Sequence, residues 1–144
     1  DPLRPDYFIV LDRLYGTLDE RIDTWRETYR NNSGCLPCMG GDPFVLKILL
    51  IERVVVAYDI ASAFRYLHRH NLIYRDIKTE NIGFDVRNDV KLFDFGLAKE
   101  LCESEKTKEG LYEMTGLIGS RRYMAPEVIQ CKPYNLSADS YSYG

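Results

Sequence analysis

Between Phe44 and His70 the chain runs 27 residues without a proline or a glycine, and apolar side chains recur at intervals of three and four. Ile60, Ala63, Phe64 and Leu67 share one face, while Lys47, Glu52, Arg53, Asp59 and Arg65 mark wetter positions. The pattern predicts one long helix, ended at Asn71. At ~1.5 Å per residue it reaches about 40 Å, the span of a whole small domain. Apolar residues cover much of its circumference, so it is expected to be buried on more than one side.

Shorter elements flank it. Tyr7-Phe8-Ile9-Val10-Leu11 is aromatic and β-branched, which predicts a strand, and Gly16 punctuates the break after it. Thr17 and Glu20 have capping-box spacing, with Leu18, Ile22 and Trp25 following at helical intervals, so a short helix is expected to about Tyr29. Residues 31–43 read as a loop. After the long helix come a short extended run, Leu72-Ile73-Tyr74, and two strands, 82–86 and 90–93, around the turn Arg87-Asn88-Asp89. Residues 96–123 show no period. Pro126 suits the first turn of a short helix at Glu127-Val128-Ile129, and Ser137-Ala138-Asp139 reads as the cap of another.

Composition removes several classes. A chain of 144 residues with 45% hydrophobic content can bury a single-domain core and is not disordered throughout. A net charge of −3 argues against general nucleic-acid binding. No apolar run approaches the ~20 residues of a membrane helix, and Asp1-Pro2-Leu3-Arg4-Pro5-Asp6 is unlike a signal peptide. A soluble, intracellular, cytoplasmic protein is expected, with no membrane segment and no nucleic-acid partner. Cys35 and Cys38 form a Cys-x-x-Cys that offers half of a zinc or redox site; Cys102 and Cys131 lie far away in sequence, so the ligand set is incomplete.

Two acidic clusters bracket the hairpin: Tyr74-Arg75-Asp76-Ile77-Lys78-Thr79-Glu80-Asn81 and Asp94-Phe95-Gly96. One strand end offers the carboxylate of Asp76, the ammonium of Lys78 and the amide oxygen of Asn81. A hairpin returns a second carboxylate, Asp94, to the same end. Hard cations such as Mg²⁺ take oxygen ligands and commonly share them with phosphates, whose charge Lys78 can neutralise. Either aspartate alone would suit a turn, capping backbone amides. Both together, in this order around a hairpin, favour a site.

These two segments resemble the catalytic loop and the metal-binding motif of protein kinases. Ala125-Pro126-Glu127 is similar to the motif that closes their activation segment, and Asp139-Ser140-Tyr141-Ser142-Tyr143-Gly144 to the start of the central large-lobe helix. The resemblance covers essentially the whole chain. It implies an α+β, kinase-like fold in partial form, with a mostly helical large lobe, a small catalytic β-hairpin and no small lobe. Residues 1–17 would be the last small-lobe strand and the hinge, and 18–144 the first part of the large lobe.

The resemblance also implies roles. ATP and Mg²⁺ would be the cofactors and a protein with a Ser or Thr acceptor the substrate. Asp76 would take or orient the hydroxyl proton, Lys78 would steady the transferred phosphoryl group, and Asn81 and Asp94 would hold Mg²⁺. Leu11 would be the gatekeeper, and the backbone of Asp12 and Leu14 would bond adenine. Arg75 would meet a phosphate on the activation segment, where Thr115, Tyr112 and Thr107 are candidates and Thr115 is best placed. Lys78 follows the serine/threonine pattern. Gly119-Ser120-Arg121-Arg122-Tyr123-Met124 resembles a serine/threonine substrate-docking loop of the tyrosine-kinase-like group, with Ser120 and Glu80 as docking residues. A kinase-shaped scaffold without transfer activity is the alternative.

Two residues depart from the family pattern. Tyr74 stands where most members have His and could stack on Phe95. Gly83 stands where a bulkier apolar side chain floors the adenine pocket. Its absence predicts a roomier nucleotide site, unless a neighbouring side chain fills the gap. No Gly-rich loop, strand lysine or partner glutamate precedes Tyr7, so the 144 residues alone are expected to be inactive. With the long helix short of a partner, they are also expected to aggregate or be molten.

Overall fold

A computed structural model of the chain describes residues 10–33 and 42–144. The Cys35–Cys38 pair, Tyr7, Phe8 and Ile9 lie outside these residues, and Val10 and Leu11 take no strand conformation.

Helix α1 spans Leu18–Asn32 and begins as its sequence dictates. The Thr17 hydroxyl accepts from the Glu20 amide, and the Glu20 carboxylate accepts from the Thr17 amide at 3.0 Å. Two N–H groups that the first turn cannot satisfy are thereby paired. Helix α2 spans Pro43–Arg69; the Asp42 carboxylate caps the Phe44 amide at 2.9 Å, with Pro43 in the first turn. Asn71 ends it at φ +54°, its amide returning to the His68 carbonyl.

The remaining elements are short: β1 (Leu72–Ile73), β2 (Ile82–Phe84), β3 (Val90–Leu92), β4 (Lys99–Glu100), α3 (Pro126–Ile129) and α4 (Ser137–Tyr143). β2 and β3 form the expected antiparallel hairpin, Ile82 opposite Leu92 and Phe84 opposite Val90. On the other edge of β2, residues 15–17 add a backbone ladder, with Tyr15 N–H donating to the Phe84 carbonyl and Phe84 N–H to that of Gly16. β1 pairs antiparallel with β4.

Two apolar clusters result. The first joins Leu18 and Trp25 of α1, the inner face of α2 and the inner face of the hairpin, Ile82 and Phe84. The second gathers Ile73, Leu101, Tyr112, Met124, Ala125, Val128, Tyr134 and Ala138. Consecutive residues in extended backbone point oppositely; Ile73 therefore enters the second cluster and Tyr74 the first.

Two expectations need correction. α2 is not buried on several sides: α1 and the hairpin cover one flank, and Leu50, Ile51, Val54, Val55 and Tyr58 are exposed. At α4 the cap is not Ser137. Leu136 holds the N-cap position, and Asn135 Oδ1 accepts from the Ser137 amide at 2.9 Å.

Candidate active site

The turn from β1 to β2 builds the site. Arg75 sits at φ +69° and Asp94, just past β3, at φ +59°. Left-handed backbone is unfavourable for residues with a side chain and persists where the surroundings impose it. At Arg75 the imposing group is Asp139 of α4. Its carboxylate is 2% exposed and accepts from Tyr74 N–H at 2.8 Å, Arg75 N–H at 2.9 Å and the His68 ring at 2.9 Å. A single buried carboxylate thus fixes the backbone on which Asp76 stands.

Asp76 is 8% exposed. Its Oδ2 lies 2.9 Å from Lys78 Nζ and accepts from Asn81 Nδ2 at 2.9 Å. Its Oδ1 accepts from both the amide and the hydroxyl of Ser120, each at 2.9 Å. Burial pushes this carboxyl up, but the bonds from Lys78, Ser120 and Asn81 outweigh it and hold Asp76 below its ordinary range. Hydrogen bonding to Asp76 in turn raises Lys78, so both stay charged near neutrality.

Ser120 reaches Asp76 because Gly119 takes φ +94°, where an added Cβ would lie 2.3 Å from the Arg75 carbonyl oxygen. Only glycine lets the two backbones approach this closely.

Asp94 is exposed and its Oδ1 accepts one long bond, 3.3 Å, from the Gly96 amide. Its position is set from Tyr74, whose hydroxyl donates to the Phe93 carbonyl and whose ring meets Phe95 edge-on at 5.3 Å. The expected Tyr74–Phe95 contact is therefore present. Burial first, then the charges of Asp76 and Asp94, push the Tyr74 phenol well above its usual value and keep it a donor.

Other expected site residues are scattered. Leu11 and Asp12 are exposed, and Leu14 is half-buried. The gap at Gly83 is filled: a Cβ there would meet Leu14 Cδ1 at 2.8 Å and Phe93 Cε1 at 3.2 Å. Neighbouring side chains occupy the room, so no roomier floor forms. Glu80 is exposed and accepts from the Thr79 hydroxyl. Arg75 Nε donates to the Leu97 carbonyl at 2.6 Å, and no hydrogen bond joins Arg75 to Thr115 among the described residues.

Of the three hydroxyls proposed for modification, Tyr112 is 5% exposed and Thr107 accepts from the Leu111 amide, while Thr115 is exposed. Cys102 and Cys131 are exposed free thiols. No group of three or more His, Cys, Asp or Glu gathers as a metal site among the described residues, nor is any of their helices long and apolar enough to cross a membrane.

Asp139 and His68 are positioning residues whose role the sequence does not show. In the sequence Asp139 stands only as part of the α4 cap and as the first residue of the segment similar to the central large-lobe helix, and His68 is one more polar residue of α2.

Comparisons with known proteins agree with this geometry. The family model of the protein kinase domain matches residues 47–144. Serine/threonine-protein kinase STY17 of Arabidopsis thaliana is 46% identical over 88 residues, covering 61% of this chain and 14% of its own. Mouse ribosomal protein S6 kinase alpha-6 is 41% identical over 110 residues, 73% of this chain and 14% of its own. Rat serine/threonine-protein kinase Sgk2 is 43% identical over 86 residues, 60% and 22%. This chain spans between a seventh and about a fifth of the length of these relatives. With its catalytic-loop geometry and the family match over residues 47–144, the chain belongs to the protein kinase family.

Proposed function

We propose that the protein transfers the γ-phosphate of ATP to serine or threonine hydroxyls of other proteins, with Mg²⁺. The observation that supports this most is the Asp76 carboxylate, ionised and held between Lys78, Asn81 and Ser120. A carboxylate offers about four acceptor positions, and four donors from these three residues already face Asp76. An incoming hydroxyl therefore displaces one of them. Lys78 is the donor with another partner available, a phosphate. With its basicity lowered, Asp76 orients the hydroxyl more than it deprotonates it, which suits a transfer limited by positioning and charge.

The donor set fits Mg²⁺ at Asn81 and Asp94. Both bonds of the Asn81 amide are donated by Nδ2 to Asp76, and among the described residues no donor meets its Oδ1. Asp94 has one weak partner. Oxygen donors of this kind suit a hard cation, which when bound would neutralise phosphate charge.

In the same reading, residues 1–17 form the end of the small lobe and the hinge, where Leu11, Asp12 and Leu14 meet adenine, and residues 18–144 open the large lobe. Ser120 and Glu80 help to dock the acceptor segment. Thr115, exposed on the activation segment, is the phosphorylation site, and Arg75 its cation. Dependence on ATP places this work inside the cell.

The test uses the full-length protein and its Asp94→Asn variant, each incubated with Mg–ATP and a generic protein substrate, with phosphosites mapped by mass spectrometry. Phosphoserine and phosphothreonine that vanish in the variant are expected. No phosphate from folded wild-type protein would replace this reading with that of a kinase-shaped scaffold.

A further inference from the structure

Two arginines, Arg121 and Arg122, directly follow Ser120, whose amide and hydroxyl both donate to Asp76 Oδ1 at 2.9 Å. They open one turn of 3₁₀ helix, Arg121–Tyr123, and its backbone is held at both ends. The Tyr123 N–H donates to the Ser120 carbonyl at 2.9 Å, and Met124 and Ala125 are buried in the second cluster. The backbone of both arginines is thereby fixed beside Ser120, while their side chains are exposed.

Among the described residues no carboxylate forms an ion pair with either guanidinium. Arg122 lies over the Tyr123 ring, 5.8 Å from its centroid, a contact that leaves the charge in place. The chain as a whole carries −3, so this pair of positive charges stands against an acidic background. Two like charges on adjacent residues also repel each other, and an anion between them relieves the repulsion.

On the other side of Asp76 the sign is reversed. Asn81, bonded to Oδ2, is preceded by Glu80, and Glu80 and Asp19 are both exposed and both accept from the Thr79 hydroxyl. An acceptor segment laid across Asp76 therefore meets carboxylates on one flank and guanidiniums on the other. The planar fork of arginine binds a carboxylate or a phosphate through two parallel hydrogen bonds. Extended chain advances about 3.3 Å per residue, so side chains up to about three residues from the acceptor come within reach of the pair.

We infer that Arg121 and Arg122 determine specificity in the transfer reaction: they select acceptor segments that carry an anionic side chain, carboxylate or phosphate, within about three residues of the serine or threonine. This rests on the kinase reading given above and names its substrate class. The attraction is electrostatic and open to solvent, so it weakens as salt is raised.

The test supplies the full-length protein with Mg–ATP and serine peptides of one neutral sequence. A single aspartate, phosphoserine or lysine is walked through the positions on each side of the acceptor. The readout is the ratio of kcat/KM for each charged peptide to that for the neutral one, which cancels differences in the amount of folded enzyme. Wild type is expected to favour aspartate about fivefold and phosphoserine about tenfold at the best position, less so at high salt. Changing the pair to Arg121→Gln and Arg122→Gln is expected to bring both ratios to within about twofold of unity. Arg121→Lys with Arg122→Lys should keep part of the preference, and Arg121→Glu with Arg122→Glu should favour lysine instead. A preference for phosphoserine alone would support the inference with phosphate as the anion, and a preference for both would support it with either. Equal use of all peptides by wild type, or a preference that survives in the glutamine pair, would overturn the inference and leave the kinase reading intact. No transfer by folded wild type to any peptide or to a generic protein substrate would remove both.

Discussion

The two apolar clusters are built by different rules. The first draws on α1, α2 and the hairpin, elements whose hydrogen bonds are internal and whose apolar residues repeat at three, four or two. The second has no period. It is assembled from irregular stretches joined by single long-range bonds: Tyr112 and Tyr134 exchange backbone bonds at 2.9 and 3.1 Å, Leu101 N–H reaches the Asn71 carbonyl at 2.7 Å, and Tyr134 O–H reaches that of Thr115 at 2.9 Å. The loop that carries Asp76 lies on the seam, with one oxygen of Asp76 bonded to Lys78 and Asn81 beside the first cluster and the other to Ser120 beside the second. Regular structure supplies one side of the site, and an irregular segment held by single long-range bonds supplies the other.

Breaking the first cluster should cost most. Phe64 is 5% exposed and its ring lies 5.8 Å from that of Tyr74. Phe64→Ala is expected to lower stability by about 3–5 kcal/mol in urea unfolding. Asp139→Ala attacks the seam, leaving the amides of Tyr74 and Arg75 without an acceptor; at roughly 1–2 kcal/mol per orphaned group, the low end because Arg75 is only half-buried, a loss of about 2–4 kcal/mol is expected. Faster amide exchange at those two positions, with the α1 amides unchanged, would confirm where the damage lies.

Smaller changes sharpen the contrast. Gly119→Ala forces a side chain into left-handed backbone against the Arg75 carbonyl, at about 1–3 kcal/mol. It should cost more in phosphoryl transfer than in unfolding, since it withdraws Ser120 from Asp76. Thr17→Ala removes one cap of α1 and should cost ~1 kcal/mol with transfer unaffected; a large loss of transfer would show that the site depends on the first region beyond its packing.

Acid should reach the seam through Asp76. Asp76 is held below its ordinary 3.8, so its contribution to stability is complete above that value and disappears as pH falls through the lower, folded-state value. Lys78 is raised above 10.5, so its contribution is complete below that value and is lost only as pH rises past the raised one. The stability difference between wild type and Asp76→Asn is therefore expected to stay level from pH 5 to 9 and to shrink below 3.8.

Periodicity and spacing made the first region readable. The Thr17–Glu20 cap, the body of α2 and the presence of the hairpin follow from residues close in sequence; its register does not, because Asp85 accepts from the Arg87 and Asp89 amides and widens the turn to 85–89, so that Phe84 and not Val86 faces Val90. The same locality brought Asp76, Lys78, Asn81 and Asp94 into view. What could not be read lies across long intervals. Nothing near Asp139 shows that it holds amides 64 and 65 residues earlier, and nothing near Gly119 shows that the Arg75 carbonyl faces it. The exposed flank of α2 escaped for a related reason: hydrophobicity records which residues can be buried, and only the neighbours decide which are.

The dependence on Asp139 also orders events during synthesis. The loop that carries Asp76 leaves the ribosome 65 residues before the carboxylate that shapes its backbone. At roughly 5–20 residues per second, that interval lasts about 3–13 s. Throughout it, Tyr74 and Arg75 have no α4 to hold them in the conformation the chemistry needs. The nascent chain thus carries Asp76, Lys78, Asn81 and Asp94 before Asp139 is there to fix the backbone at Tyr74 and Arg75.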